Sequence, residues 1–216
     1  LNGAIFAITL SFFFPIFVAF IPLRKYYKQT KEVIETKQIY RYTYPVLIAV
    51  LSLTLLPSID LFLVKHFFDE GLAGFYAATS IMGKIIFFAS LPISLVMFPK
   101  SVERQTKKEP TSGILKKALF LVALISISIT IFYSIFPIFA LKLLFGQEYI
   151  SFYNMIDHNI IALFGLIITM YSFSYLLALY NLSINRTKFT YFIIFANILE
   201  IGLIYLFHDS LIHVIL

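Results

Sequence analysis

The chain has no cysteine, and charged residues make up only 13% of its 216 positions. Without a thiol there is no disulfide scaffold, no thiolate metal site and no cysteine nucleophile. Soluble domains carry about a quarter charged residues, so a chain this poor in charge and 60% hydrophobic reads as a polytopic membrane protein. The same composition excludes disorder, collagen and coiled coil. Also missing are a Walker loop, a Gly-rich dinucleotide turn, a His-Glu-x-x-His pair and a nucleophile elbow. No cofactor is therefore expected, no nucleotide site supports primary active transport, and no converging catalytic set argues for an enzyme.

What is present is a succession of apolar runs. A spanning helix needs about 20 mostly apolar residues, and six such stretches cover roughly 1–23, 43–65, 75–98, 118–140, 155–180 and 190–207. These lengths suit helices and are about double those of membrane strands, so the expected fold is an all-α polytopic helical bundle with no soluble domain. Ser210 to Leu216 fits the opening of a seventh span. Because the chain starts at Leu1 inside one apolar run and stops at Leu216 within another, it is expected to be a fragment. The first run is too long for a signal peptide and lacks its basic start and small-residue cleavage site.

Charge then sets orientation, because Lys and Arg in short loops stay on the cytoplasmic side. Loop 24–42 holds Arg24, Lys25, Lys28, Lys31, Lys37 and Arg41. Loop 99–117 holds Lys100, Arg104, Lys107, Lys108, Lys116 and Lys117, and loop 181–189 holds Arg186 and Lys188. Of the 17 basic residues only Lys65, Lys84 and Lys142 lie elsewhere, whereas Asp69, Glu70, Glu148 and Asp209 fall in the alternate loops. Loops 24–42, 99–117 and 181–189 are thus expected in the cytoplasm and Leu1 outside. The positive net charge is read as topology, not as a nucleic-acid or lipid footprint. Asn181 and Asn185, in a cytoplasmic loop, are chance glycosylation matches. Tyr40, Tyr42, Tyr44, Tyr180 and Tyr191 fall at the inner boundary and Tyr76, Tyr149, Tyr153 and Tyr205 at the outer one, as interfacial anchors do. His66, His158, His208 and His213 cluster near the outer face without ligand spacing on one helix, so they read as polar residues at a wet interface and no metal is expected.

Ionisable residues inside spans are costly unless paired or facing water, which makes them functional candidates. Asp60, Lys84 and Glu200 qualify. Lys84 and Glu200 lie near the midplane, each about 14–15 Å from one end of its span, and Asp60 about 7 Å below the outer boundary. An ion pair of Lys84 with Asp60 or with Glu200 is expected, serving either helix packing or a transport pathway. Pro57 removes the N–H that would bond the carbonyl of Leu53, and Pro92 and Pro137 are expected to interrupt the third and fourth spans. Ala77, Ser80 and Gly83 form a small-residue stripe that allows close helix approach.

The stretch YTYPVLIAVLSLTLLPSIDLFLVKHFFDEGLAGFYAATSIMGKIIFFASLPISLVMFP, from Tyr42 to Pro99, resembles the first helical hairpin in the second lobe of polysaccharide-transporter proteins. The likeness rests on a span with a proline before an Asp, an acidic turn, Ala73-Gly74-x-Tyr76, and a Phe98-Pro99 exit into a basic loop. YNLSINRTKF, Tyr180 to Phe189, resembles a later cytoplasmic turn of the same family. These proteins are flippases for O-antigen, capsule and other lipid-linked oligosaccharides, within the multidrug, oligosaccharidyl-lipid and polysaccharide exporter superfamily. The resemblance implies twelve or more helices in two lobes. Residues 1–23 would close the first lobe, 24–42 link the lobes and 43–216 supply most of the second. It implies a location in the cytoplasmic membrane, a polyprenyl-pyrophosphate-linked saccharide as cargo, and contact with membrane lipid and with other polysaccharide-assembly membrane proteins. Lys84 would meet the pyrophosphate, with Asp60 and Glu200 on the pathway. A peptidoglycan-precursor flippase or drug exporter of the same superfamily is the near alternative, and a membrane-embedded glycan polymerase or acyltransferase the alternative of another class.

Overall fold

The computed structural model describes residues 2–24, 36–147, 149–150, 153, 160–207 and 214. Among these no strand occurs, and the elements in chain order include α1 (Asn2–Leu23), α2 (Thr36–Phe67), α3 (Glu70–Thr106), α4 (Ser112–Ile135), α5 (Pro137–Phe145), α6 (Ile160–Ser183) and α7 (Thr190–Leu206). Helices α1, α2, α3, α4 and α6 are long and apolar enough to cross a membrane. Helix α7, with 17 residues, is about 25 Å long, at the short end of the spanning range. The chain is an all-α, multi-pass membrane bundle. The expectations for Lys25, Lys28, Lys31, Glu148, His158, His208, Asp209 and His213 lie outside the described residues, as does the seventh span apart from Val214.

The chain divides into two compact units, Leu1–Arg41 and Tyr42–Leu216. In the first, Phe12, Phe14 and Phe17 of α1 are exposed, and a helix apolar all round is stable only where its surroundings are apolar too. In the second, α3 packs along α6 and α4, and α4 along α6. Lipid is as apolar as leucine, so close packing and interhelical hydrogen bonds must hold such helices together. Gly83 meets that need, as a Cβ there would lie 2.9 Å from Ile168 Cγ1 of α6. Gly165 does the same on α6, where a Cβ would lie 3.2 Å from Thr130 of α4. The small-residue stripe on α3 thus marks a close helix contact. Thr130 and Thr169 share a hydroxyl hydrogen bond of 3.0 Å, and Tyr133 Oη donates to the Met82 carbonyl at 3.2 Å. Large apolar side chains on the outward faces, including Phe88, Leu95, Phe120 and Phe192, are exposed, as lipid-facing residues are.

Two of the three expected proline breaks occur. Pro57 adopts φ −86° and ψ 17°, a kink inside α2. The expected span 118–140 divides, α4 ending at Ile135 and Pro137 opening α5, a position where its missing N–H is not needed. Pro92, in contrast, lies within an unbroken α3, as does Pro99. A proline removes one donor, and a helix held by two neighbours carries that loss without breaking.

Candidate functional site

Pro57 has no N–H to bond the Leu53 carbonyl of α2, and a neighbouring helix supplies a replacement donor. Tyr171 of α6 donates its hydroxyl proton to the Leu53 carbonyl, the group freed by Pro57. Asn197 of α7 donates from Nδ2 to the Ser52 carbonyl at 3.1 Å. At membrane depth an unsatisfied carbonyl costs several kcal/mol, so the Tyr171 bond explains how the kinked helix persists in apolar surroundings, and the Asn197 bond ties α7 to the same turn.

One turn beyond the kink, Asp60 is held at both oxygens. Its Oδ1 accepts the Leu61 N–H at 2.7 Å and its Oδ2 accepts the Tyr76 hydroxyl at 2.8 Å. Tyr76 is buried and meets Phe164 of α6 edge-on, with centroids 5.2 Å apart. Asp60, Tyr76, Tyr171, Pro57 and Glu200 line one cavity of about 240 Å³. Glu200 Oε2 is buried there with no hydrogen-bond partner among the described residues, as is Asn197 Oδ1 on the same face of α7. Two carboxyl groups from different helices thus face a shared space, one fully bonded and one with an oxygen available to a proton, a cation or a polar ligand.

Asp60 and Glu200 come together, and Lys84 does not join them. Among the described residues Lys84 makes no ion pair, and it is not among the residues lining the cavity. The expected Lys84–Asp60 and Lys84–Glu200 pairs are therefore corrected, and helix register supplies the reason. Helix α2 ends at Phe67 and α3 starts at Glu70, which puts Asp60 about 10 Å, Tyr76 about 9 Å and Lys84 about 21 Å from the turn joining them. Glu200 lies about 9 Å from the end of α7. Tyr76, not Lys84, is level with the carboxylates. Lys84 lies two turns further along α3, half-buried.

Tyr76 and Tyr153, expected from their positions in sequence to be interfacial anchors, are instead buried. Tyr40, Tyr44, Tyr191 and Tyr205 are exposed, as anchors should be. Tyr180 is bonded across to Thr111 at 2.7 Å. Tyr171 and Asn197 do not stand out in the sequence, since a tyrosine or asparagine in a span carries no charge to draw notice. Only the packing of α6 and α7 against the kinked stretch of α2 brings them to notice. His66 is exposed against the Phe67 ring. Among the described residues no group of three or more His, Asp or Glu side chains forms a metal site.

No curated protein and no solved structure matches the chain. A family model described as polysaccharide biosynthesis protein does match, over residues 4–154. The matched range contains the whole of Tyr42 to Pro99, the stretch that resembles polysaccharide transporters, and leaves Tyr180 to Phe189 outside it. With its bundle of apolar helices and most of its length within the match, the chain belongs to the polysaccharide biosynthesis protein family.

Proposed function

We propose that the full-length protein is a flippase that moves a lipid-linked oligosaccharide or polysaccharide precursor across the cytoplasmic membrane by alternating access, without bond chemistry. The observation that carries this reading is the polar cluster at membrane depth around a kinked helix, with Asp60, Tyr76 and Glu200 facing one cavity. Buried ionisable groups and broken helices at repeat interfaces are the usual material of transporter pathways. Asp60 and Glu200 act on the pathway, where Glu200 takes the proton, cation or cargo hydroxyl that its unbonded oxygen requires. Lys84, with no carboxylate partner among the described residues, is the cation that meets the pyrophosphate of the cargo.

In this reading residues 1–23 close a first lobe, 24–42 link the lobes, and 43–216 form most of the second. The basic loops face the cytoplasm, in keeping with the positive-inside rule. Cells depleted of the full-length protein test the proposal. The glycan lipid should accumulate chemically complete, at wild-type length, on the cytoplasmic leaflet. An unextended or unmodified intermediate that still reaches the outer leaflet would instead identify a polymerase or acyltransferase.

A further inference from the structure

A second concavity lies on the α3–α4 hairpin, toward the connection between these helices. It is a groove of about 800 Å³ that shares no lining residue with the Asp60–Glu200 cavity. Its inner part is apolar, formed by Ile93, Val96 and Met97 of α3 and Ala118 and Leu121 of α4. Its mouth carries Lys100, Arg104, Lys107 and Lys117 with Glu103 and Glu109. The charges are not equivalent. Lys107 Nζ pairs with Glu103 at 2.6 Å, and Arg104 Nε lies 3.9 Å from Glu109, so both acids are already engaged. Lys100 and Lys117 make no ion pair among the described residues.

The two unengaged ammonium groups are also level with each other. Lys100 is about 9 Å from the end of α3 and Lys117 about 8 Å from the start of the antiparallel α4. On α3 the lining switches from apolar to basic within one turn, between Met97 and Lys100, and on α4 Lys117 is followed by the apolar Ala118 and Leu121, with Ile114 on its other side. A phosphate at that level would meet both lysines, and a hydrocarbon chain attached to it would run down the apolar part. Such a spacing fits a lipid better than a soluble phosphate, which has nothing to place against Ile93, Val96 and Leu121. Its separation from the Asp60–Glu200 cavity argues for a resident membrane lipid over the transported one.

We propose that this groove binds one anionic glycerophospholipid of the adjoining leaflet, its phosphate between Lys100 and Lys117 and an acyl chain along Val96 and Leu121. Basic clusters at the membrane surface attract anionic headgroups, and the groove adds a place for the chain. Occupancy holds the α3–α4 hairpin in register with the membrane surface, whatever cargo the protein moves.

The test uses the full-length protein in phosphatidylcholine nanodiscs, with a phosphatidylglycerol carrying a photoreactive acyl chain as the probe. Crosslinks mapped by mass spectrometry should concentrate on residues 92–121 and be competed by unlabelled phosphatidylglycerol but not by added phosphatidylcholine. In Lys100→Gln/Lys117→Gln the apparent affinity should fall roughly tenfold or more, while Lys116→Gln/Lys188→Gln keeps it and Lys100→Arg/Lys117→Arg retains most of it. Equal competition by phosphatidylcholine, or unchanged labelling in the glutamine variant, would overturn the site. Displacement by a polyprenyl diphosphate at lower concentration than phosphatidylglycerol would overturn the resident lipid and give the groove to cargo. The competition arms need only wild-type protein, and their outcome is independent of whether translocation is observed.

Discussion

Asp60 lies within an apolar span, and what makes that tolerable is two hydrogen bonds of 2.7 and 2.8 Å, one from its own helix and one from Tyr76. Removing the phenol should therefore expose the carboxylate. Tyr76→Phe should destabilise the protein by about 1–3 kcal/mol, and a cycle with Asp60→Asn should give a coupling of about 0.5–3 kcal/mol in unfolding measurements on purified protein. The matching cycle for Lys84→Met and Asp60→Asn should be additive within about 0.5 kcal/mol; a larger coupling would restore the ion pair that helix register argues against. Asp60, Lys84 and Glu200 are legible in sequence because a charge inside a span stands out against apolar neighbours. Their grouping is not, since level in a bundle depends on where helices end. The apolar runs place the ends of α2 and α3 two to five residues from where the helices stop, enough to set Lys84 beside Asp60 on paper.

At the scale of the helix, the kink in α2 and its repair from α6 form a unit that can be taken apart. Tyr171→Phe should cost about 1–3 kcal/mol by leaving the Leu53 carbonyl unbonded. The cost should shrink in a Pro57→Ala background, where the alanine restores the missing N–H. An undiminished cost there would mean that the tyrosine acts through packing alone. On the facing helix, Gly83→Val should destabilise by about 1–3 kcal/mol, since even a Cβ would lie 2.9 Å from Ile168 Cγ1. Proline marks two breaks correctly in sequence, at Pro57 and Pro137, and misleads at Pro92. The difference lies in context that a single sequence does not carry: α3 packs against both α4 and α6, and that packing keeps unbroken what local chemistry would interrupt.

Across the whole molecule, hydrophobic run length makes the bundle legible, because it records the membrane and does not depend on tertiary contacts. The orientation has its own test. In intact cells Lys107→Cys and Arg186→Cys should resist a membrane-impermeant thiol reagent and Asp69→Cys should react; the reverse pattern would invert the topology. The cavity and the lipid groove are not legible, as each draws residues from helices far apart in sequence or from faces whose exposure only packing decides. The claim that this polar cluster serves translocation is tested most directly by reconstituting the full-length protein in vesicles with a fluorescent lipid-linked oligosaccharide. Wild-type protein should transfer the intact lipid between leaflets, and Glu200→Gln, inserted at wild-type level, should do so more slowly on the order of tenfold or more. No transfer by wild-type protein, a covalently altered glycan, or full activity in both Glu200→Gln and Asp60→Asn would contradict it.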